Sequence, residues 1–194
     1  RGFQLSRVID LSGLEQSGSF LGGTGSMVLD RLYGTAYAAR SARTHPLALA
    51  EFSRLTGYRS VAFDASLGAA AVYHTNVLMS VGERYVAVAA EAIAPQDRDR
   101  VLGRIRASAR EVIELSQGEV TGFCGNMLEL ASWDENLGDC SVLVLSATAH
   151  ASLSRENLLR LSAVCDSLLV VPVPTIERLG GGSIRCMLAE VFVD

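Results

Sequence analysis

The sequence predicts an α/β fold made of about three similar units. Two patterns lead to this prediction. A succession of strand, helix and strand recurs along the chain, and its closing strands near Val61, Val112 and Leu168 lie about 50 residues apart, a period typical of repeated units. The strands are short and rich in Val, Leu and Ile, as expected for a sheet that is buried on both faces.

The predicted elements follow one another in the same order in each round. The first round reads as the strand "TAYAAR", the helix "HPLALAEFSRL" and the strand "YRSVAFDA". The second reads as "RYVAVAAEAI", "DRDRVLGRIRASA" and "REVIELS", and the third as "CSVLVLSA", "SRENLLRLSAVC" and "DSLLVVPV". The first strand also belongs to "GSMVLDRLYGTAYAAR", which predicts a hairpin that turns near Tyr33 and Gly34.

The third helix shows how apolar spacing supports these assignments. Leu158, Leu161 and Cys165 recur at i, i+3 and i+7, which places them on one helical face. Ser154 precedes them as the expected N-cap, because its hydroxyl accepts a hydrogen bond from a free backbone N–H. No linker of biased composition divides the chain, so we expect residues 1–194 to form a single domain.

Composition and charge exclude several classes of function. The chain has 194 residues, of which 49% are hydrophobic and 20% charged, and this suits a globular domain with a sizeable core. Its net charge of -4 argues against nucleic acid as a partner, because phosphate binding needs a basic face. No apolar run reaches the ~18 residues of a membrane helix, so no membrane partner is expected.

The cysteine pattern is that of an enzyme with reduced thiols. The four cysteines, Cys124, Cys140, Cys165 and Cys186, form no C-x-x-C pair, and none pairs with a histidine at zinc spacing. We therefore expect no structural metal and a cytoplasmic location. The opening "RGFQLSRVID" lacks a methionine, which favours a processed or truncated product.

Cys186 is the first candidate for chemistry. It follows the run "LGGGS" and precedes an apolar stretch, so we expect it on a buried strand. Gly180, Gly181 and Gly182 allow the backbone to approach a ligand closely, and their N–H groups with that of Ser183 are suited to stabilising an anion. A cysteine thiolate is a good nucleophile, but a core cysteine after a glycine loop fits the sequence equally well.

His74 is the second candidate, in the apolar segment "VYHTNVLMSVG". A cysteine and a histidine form the minimal pair for thiol catalysis, in which the histidine acts as the base. The alternative is a histidine satisfied inside the core. His45, ahead of a proline, and His150, in "SATAHASLS" before a helix, fit turn positions better.

Arg43 in "ARSARTHP" and Asn126 in "FCGNMLEL" are further candidates. Arg43 lies between a strand and a helix, where an arginine is suited to binding a substrate carboxylate, although a surface charge explains it too. Asn126 lies in a tight turn, where it either orients a substrate or closes the turn. A phosphate loop in "SFLGGTGSMVLD" is the weakest alternative, because the Lys-Ser/Thr ending is missing and a strand follows.

Five segments together resemble one family. They are "FLGGTGSMVLD", "AYAARSART", "YHTNVLMSVGERYVAVAAEAI", "FCGNMLEL" and "TIERLGGGSIRCMLAEVF", in family order. They are similar to the guanidino-group-modifying superfamily of arginine deiminase, dimethylarginine dimethylaminohydrolase and the amidinotransferases, and most of all to its arginine-deiminase-related, citrulline-hydrolase-like branch. The resemblance implies the pentein fold, a five-bladed α/β propeller of ββαβ-like repeats. This chain would be an incomplete, C-terminal part with about three blades.

The resemblance also implies a mechanism. Cys186 matches the nucleophile, His74 the catalytic histidine, and Arg43 the arginine that holds the α-carboxylate of the substrate. Cys186 would attack the central carbon of a guanidino or ureido amino acid, and His74 would protonate the leaving nitrogen and then activate water. Neither a metal nor an organic cofactor would be needed. The set of expected substrate-binding residues is completed by Gly22, Asn76, Asn126 and Ser183.

Two departures from the family pattern shift the expected substrate. Family members usually read "LEGTGS", whose glutamate holds the planar nitrogens of the substrate, and this chain has Gly22 at that place. Arginine deiminases have an aspartate two residues after the histidine, where this chain has Asn76. An amide suits a neutral urea better than a guanidinium cation, which favours citrulline or another ureido amino acid over arginine.

The chain is also shorter than its relatives, which carry further blades upstream. This shortness and Gly22 favour an alternative function: a catalytically inactive or truncated member of the superfamily that binds an amino acid or a partner. An incomplete propeller leaves sheet edges uncovered, which favours a homo-oligomer.

Overall fold

The computed structural model describes residues 7–136 and 138–190. In these ranges the strands form three sheets of the same topology and one small hairpin. Each of the three sheets belongs to a ββαβ unit, in which the first two strands pair antiparallel and the third pairs parallel with the second. The predicted α/β fold with about three similar units is therefore confirmed. Its interpretation as part of a propeller stays a prediction.

Unit 1 follows a 3₁₀ turn at Ser12–Ser17. Its elements are α1 (Gly23–Ser26), β1 (Val28–Asp30), β2 (Thr35–Ala39), α2 (Pro46–Thr56) and β3 (Arg59–Phe63). Asp30 pairs with Thr35 across the turn between the first two strands, so the predicted hairpin is confirmed. The small hairpin then leads to unit 2, through β4 (Ser66–Leu67) and β5 (Ala70–Ala71).

Units 2 and 3 repeat this order. The elements of unit 2 are β6 (Met79–Val81), β7 (Tyr85–Val88), α3 (Pro95–Arg106) and β8 (Glu111–Glu114), followed by the short helix α4 (Gln117–Thr121). The elements of unit 3 are β9 (Leu128–Asp134), β10 (Gly138–Ser146), α5 (Ala147–Ser152), α6 (Arg155–Val164) and β11 (Ser167–Val171), followed by α7 (Pro174–Gly180). None of the helices in the described ranges has the length and apolar character needed to cross a membrane.

Local sequence signals explain where the helices begin and end. Both α2 and α3 begin with a proline, whose fixed φ suits the first helical turn. Gly57 ends α2 with a left-handed φ of 80°. Ser154 caps α6 through its hydroxyl, as predicted, and His45 caps α2 through its ring nitrogen Nδ1. His150 precedes α6 as expected, but it lies within the short helix α5, which the capping hydroxyl of Ser146 begins, so its predicted turn position is wrong.

The main core joins all three units. The strands β2 and β7 are buried along their whole length, as expected for sheets covered on both faces. Tyr37, Phe63, Tyr85, Leu143 and Leu145 are among the fully buried side chains. Burial of one such side chain contributes roughly 1.5–3 kcal/mol to folding, so this core supplies much of the driving force. In contrast, β11 is partly exposed.

The segments that leave the three units meet at one place. Asn76 lies between units 1 and 2, Asn126 lies between units 2 and 3, and Cys186 follows unit 3. Hydrogen bonds join these three residues to one another. The repeated topology therefore brings residues that are far apart in sequence to a common site.

A larger groove lies elsewhere. It has a volume of about 1060 Å³, runs along the first strands of the units, and is lined by charged side chains such as Arg110 and Glu129. Neither Cys186 nor His74 is among its lining residues. The candidate site is therefore not the largest depression of the molecule.

Candidate active site

Cys186 lies in a turn that follows α7. Gly181 adopts a left-handed φ of 66° after the helix, and a 3₁₀ turn over Ile184–Met187 carries the cysteine. The N–H of Cys186 donates to the carbonyl of Ser183 at 3.1 Å. The predicted buried strand is therefore wrong at Cys186. The cysteine is exposed, because this local hydrogen bond closes a turn and leaves the side chain at the surface.

Two asparagine amides point at the sulfur atom. Asn126 Nδ2 lies 3.2 Å from Cys186 Sγ, and Asn76 Nδ2 lies 3.6 Å from it. Both asparagines are buried, with 2% and 1% of their surface exposed. The two amide groups thus fix the position of the sulfur, which is the reacting atom of a cysteine nucleophile. The lack of a side chain at Gly182 leaves space beside the sulfur, since a methyl group at this position would lie only 3.2 Å from Sγ.

Asn126 also holds the cysteine turn in place. Its Oδ1 accepts the N–H of Arg185 at 3.1 Å, and its Nδ2 donates to the carbonyl of Asn76 at 3.1 Å. The preceding Gly125 packs directly on the carbonyl of Val77, where any side chain would collide with the backbone. Both polar atoms of the Asn126 amide are thus engaged. This geometry favours a positioning role over the direct substrate contact expected from the sequence.

Sequence reasoning missed Glu177, which holds the other end of the turn. The Glu177 carboxylate is buried and accepts hydrogen bonds from Ser183 Oγ at 2.6 Å and Thr148 Oγ1 at 2.5 Å. Burial opposes its ionisation, but these hydroxyls and that of Ser146 outweigh burial and hold the pKa of Glu177 below its usual value. Ser183 is fully buried and committed to this carboxylate, so its hydroxyl positions the turn. The six-residue spacing of the pair is a weak signal in the sequence.

His74 precedes the 3₁₀ turn over Thr75–Val77 and is half-buried. Its Nε2 is buried and has no hydrogen-bond partner within the described ranges. Burial lowers the pKa of His74, and the positive charge of Arg43 lowers it further. The ring is therefore neutral at pH 7 and is able to accept a proton.

The His74 ring is held closely but does not bond to the cysteine. Gly25 packs against the ring, since a methyl group there would lie 2.6 Å from Nδ1. No direct hydrogen bond joins His74 to Cys186 in the part of the chain that the structure describes. Asn76, two residues after the histidine, links this segment to the sulfur. The pairing of Cys186 with His74 in catalysis stays a prediction.

Thr75 and Ser26 lock the histidine segment onto unit 1. Thr75 Oγ1 donates to the carbonyl of Ser26 at 2.6 Å and accepts the N–H of Ala39 at 2.8 Å. Ser26 Oγ donates to the carbonyl of Arg43 at 2.6 Å and accepts the N–H of Gly22 at 2.8 Å. The "GGTGS" segment is thus hydrogen-bonded both to the loop that contains Arg43 and to the segment that contains His74. This use of its backbone gives the phosphate-loop alternative no support.

Gly22 is exposed at the place where the resembling family has a glutamate. Its φ of −77° is open to any residue. A side chain there would start 3.1 Å from Ser26 Oγ and 3.5 Å from Arg43 Cβ. A glutamate would therefore fit after a small shift of the serine hydroxyl.

Tyr73 connects the arginine side of the site to the glycine run. Arg43 Cζ lies 5.7 Å from the centroid of the Tyr73 ring, and the tyrosine and His74 ring centroids are 4.7 Å apart. The hydroxyl of Tyr73 donates to the carbonyl of Gly181 at 3.1 Å. Arg43 is exposed and takes part in none of the ion pairs of the described ranges. Its guanidinium is thus free to bind a carboxylate.

A cleft of about 250 Å³ opens beside Cys186. Tyr73 and Asn126 line it together with glycines, one threonine and apolar side chains, and no Asp or Glu is among the lining residues. His74 and Arg43 are not among its lining residues either. The cleft offers hydrogen-bonding groups and apolar surface but no counter-charge for a cation. Within residues 7–136 and 138–190, no group of three or more His, Cys, Asp or Glu side chains is placed to hold a metal ion.

Comparison by sequence gives one family. The family model described as N,N dimethylarginine dimethylhydrolase, eukaryotic, matches residues 1–193. The match spans nearly the whole chain, and it includes both Cys186 and His74. A search of curated proteins by sequence finds no significant match.

Solved structures with the same fold belong to longer proteins. The apo form of ArgZ, an arginine dihydrolase from the ornithine-ammonia cycle in cyanobacteria, has a TM-score of 0.64 at 15% identity, over 85% of this chain and 24% of its own. The N-terminal domain of ArgZ, covalently bound to a reaction intermediate, has a TM-score of 0.63 at 15% identity, over 85% of this chain and 54% of its own.

A third solved structure comes from another activity class. SxtG, an amidinotransferase from Microseira wollei in the saxitoxin biosynthetic pathway, has a TM-score of 0.55 at 12% identity, over 84% of this chain and 42% of its own. At such identities the likeness establishes the fold alone. The chain spans only about a quarter to about half of the length of these three proteins.

Proposed function

The chain belongs to the N,N dimethylarginine dimethylhydrolase family, within the guanidino-group-modifying superfamily predicted from its sequence, and we therefore propose that it hydrolyses a C–N bond of a guanidino or ureido amino acid. The reaction passes through a covalent intermediate on Cys186. One observation carries this proposal: an exposed sulfur atom receives two buried amide donors beside a substrate-sized cleft. The covalent intermediate on the similar ArgZ domain supports it.

His74 moves the protons in the proposed reaction. The Cys186 thiol gives its proton to the neutral ring, and the thiolate attacks the central carbon of the substrate. The tetrahedral adduct collapses, the C–N bond breaks, and the imidazolium protonates the departing nitrogen. Water then attacks the carbon bound to sulfur and gives a proton to the ring. The water oxygen stays on the carbon, and the sulfur leaves and regains its proton.

Arg43 binds the α-carboxylate of the substrate in this proposal. Its guanidinium is exposed, rests on the Tyr73 ring, and is free of ion pairs in the described ranges. A planar guanidinium binds a carboxylate through two parallel hydrogen bonds. Arg43 contacts the ring of Tyr73, which lines the cleft and donates to the carbonyl of Gly181 in the glycine run.

The substrate that suits this site best is a neutral ureido amino acid such as citrulline. No carboxylate lines the cleft, and Gly22 supplies none. Asn76 Oδ1 is buried and has no hydrogen-bond partner in the described part of the chain. A urea N–H would satisfy this oxygen, whereas a guanidinium would lose its hydration without gaining a counter-charge.

The test compares three substrates on the purified chain. Ammonia is measured with citrulline and with arginine, and dimethylamine with N,N-dimethylarginine. We expect release from citrulline, and we expect Cys186→Ala to lower the rate by about 1000-fold or more. Cys140→Ala is the matched control, because Cys140 is partly buried and lies outside the cleft. Release from arginine but not from citrulline would overturn the ureido preference, and full activity of Cys186→Ala would overturn the covalent step.

A second candidate function is supported by Gly22, which leaves the position of the family's glutamate without a carboxylate. A catalytically inactive member that binds an amino acid or a partner needs Arg43 and the cleft but no turnover. Calorimetric binding of citrulline without ammonia release would favour it.

We also propose that residues 1–194 form a single domain, the C-terminal part of a pentein-type propeller. The cytoplasmic location and the independence from cofactors stay predictions.

A further inference from the structure

Tyr73 contacts the segments of all three residues that the proposed reaction uses. The centroid of its ring lies 4.7 Å from that of the His74 ring and 5.7 Å from Arg43 Cζ. Its hydroxyl donates to the carbonyl of Gly181, in the segment that leads to Cys186, at 3.1 Å. Tyr73 is 45% exposed and belongs to neither apolar core cluster of the described ranges. Packing into the core therefore does not account for its contacts.

The turn over residues 181–186 is held by hydrogen bonds from three sides. The Glu177 carboxylate binds it from α7, and the Asn126 amide binds it from the segment between units 2 and 3. The Tyr73 hydroxyl binds it at Gly181, where the chain leaves α7 with a left-handed φ of 66°. Because Tyr73 directly precedes the histidine of the site, this third bond joins the cysteine turn to the histidine segment.

The backbone of Tyr73 is anchored to the loop that carries Arg43. Ser41 Oγ donates to the carbonyl of Tyr73 at 2.8 Å and accepts the N–H of Arg43 at 3.1 Å. A side chain on a fixed backbone has few rotamers. The bond from the Tyr73 hydroxyl to Gly181 therefore holds the cysteine turn at a defined distance from His74.

We propose that Tyr73 is a positioning residue that holds His74 and Cys186 at the separation which proton transfer between them requires. The inference rests on the proposed function, because Tyr73 itself performs no chemistry. A general base acts over a heavy-atom distance of about 2.6–3.2 Å or through one water molecule, and a misplacement of about 1 Å costs about 100-fold in rate. His74 and Cys186 lie on different segments, so their separation depends on the contacts that join these segments.

The two parts of the Tyr73 side chain act on different residues. The hydroxyl binds the cysteine turn, whereas the ring packs against His74 and Arg43. The ring covers part of the imidazole, and burial lowers the pKa of His74. Loss of the hydroxyl alone should therefore change the position of the cysteine turn and leave the surroundings of His74 and Arg43 unaltered.

Steady-state kinetics with citrulline tests the role of the hydroxyl. Tyr73→Phe keeps the ring, so we expect kcat to fall about tenfold while KM and the acid limb of kcat/KM stay unchanged. Tyr33→Phe is the matched control, because the Tyr33 hydroxyl also donates to a backbone carbonyl, that of Ser108 at 2.8 Å, and Tyr33 is 41% exposed. It should change neither kcat nor KM. Unchanged kcat in Tyr73→Phe would overturn the proposal, as would a rise in KM alone.

Tyr73→Leu removes the ring together with the hydroxyl. We expect kcat to fall at least as far as in Tyr73→Phe and KM to rise, because Arg43 loses the ring on which it rests. The pKa of His74 should rise with its exposure, so the acid limb should move to higher pH. Circular dichroism checks that the variant is folded. An acid limb that moves equally in both variants would overturn the separate role of the hydroxyl.

A double-mutant cycle on the alkylation of Cys186 by iodoacetamide tests the positioning without turnover. Peptide mass spectrometry separates Cys186 from the other three cysteines. His74→Gln should lower the rate about tenfold in the unaltered chain, because the base for the thiol proton is lost, and by less than about threefold in Tyr73→Phe. Equal effects in the two backgrounds would overturn the proposal. Unequal effects without hydrolysis of any substrate would support it and overturn the proposed function instead.

Discussion

The two parts of the candidate site, the turn that carries Cys186 and the loop that carries Arg43, are held in different ways. On the Cys186 side, buried side chains fix the turn that carries the sulfur, with Asn126 only 2% and Glu177 only 9% exposed. On the Arg43 side, the backbone is fixed but the guanidinium is exposed and rests on the open face of Tyr73. One side is therefore preorganised, and the other is accessible.

This difference suits the two parts of the site to different roles: the Cys186 turn to the chemical step, and Arg43 to the binding of substrate from solution. A reacting atom needs a fixed position and fixed donors, which buried hydrogen bonds provide. A group that captures substrate from water needs access. Substitutions on the Cys186 side should therefore lower kcat, and substitutions on the Arg43 side should raise KM.

The largest expected effect follows from Asn126→Ala. The substitution removes a donor to the sulfur and the acceptor for the N–H of Arg185. We expect kcat to fall by about 100-fold, as for loss of one oriented donor in an active site. Steady-state kinetics with citrulline measures this, and the rate of Cys186 alkylation by iodoacetamide should fall in parallel. Asn136→Ala, on an exposed turn, is the control. A rise in KM with unchanged kcat would instead place Asn126 in substrate binding.

Glu177→Ala tests how much the hydrogen bonds that fix the cysteine turn contribute to the stability of the fold. The substitution leaves the hydroxyls of Ser183 and Thr148 without their acceptor, so we expect the free energy of unfolding to fall by about 2 kcal/mol at pH 7. The pKa of Glu177 is depressed in the folded state. Its stabilising effect is therefore present above the usual pKa of 4.5 and is lost as the pH falls through the folded value.

Urea unfolding at pH 7 and near pH 4 measures this difference for Glu177→Ala. The difference in the free energy of unfolding between the variant and the unaltered chain should be smaller at the lower pH. Glu135→Ala, at an exposed position, should change little. Equal stability of Glu177→Ala and the unaltered chain at pH 7 would show that the buried carboxylate does not hold the turn.

Arg43→Met tests the accessible part of the candidate site. We expect KM for citrulline to rise about tenfold with little change in kcat, because the bidentate contact to the α-carboxylate is lost. The charge of Arg43 also lowers the pKa of His74, in addition to burial. Loss of this charge raises the pKa of His74, so the acid limb of kcat/KM should move to higher pH.

Arg43→Lys separates these two consequences. Lysine keeps the charge and loses the planar fork, so KM should rise while the acid limb stays in place. Unchanged KM in both variants would remove Arg43 from substrate binding. An acid limb that moves equally in both would show that the charge does not act on His74.

Gly22→Glu should have the smallest effect. The backbone accepts the side chain at φ −77°, and the new side chain would begin beside Arg43 at an exposed position. We expect the ratio of kcat/KM for arginine over citrulline to rise about fivefold, since exposed charges interact weakly. Thr24→Glu, on the same exposed turn, is the control. A ratio that falls, or that rises equally in Thr24→Glu, would contradict the role given to this position.

The repeated fold was predictable because its signals are local. Apolar periodicity, turn residues and caps gave the succession of strand, helix and strand in each unit, and the hairpin that turns near Tyr33 and Gly34 was placed correctly. The strand β6 and the short helix α5 were not predicted. Cys186 shows the limit of this reasoning. Its apolar neighbours predicted a strand, but a hydrogen bond to Ser183 closes a turn there. Short apolar runs fit both structures, and contacts from elsewhere in the chain decide between them.

For the candidate site, too, some residues could be identified from the sequence and others only from the tertiary structure. The sequence alone predicted repeated strand–helix–strand units and singled out Cys186, His74 and Arg43 as candidates, and its resemblance to a family implied the ββαβ repeat and the roles of these residues. Only the tertiary structure brought Asn126 to the sulfur and Glu177 under the turn, because both act through partners on other elements. Periodicity reports which face of an element is buried. It does not report which polar groups meet there, and those meetings depend on how the three units pack.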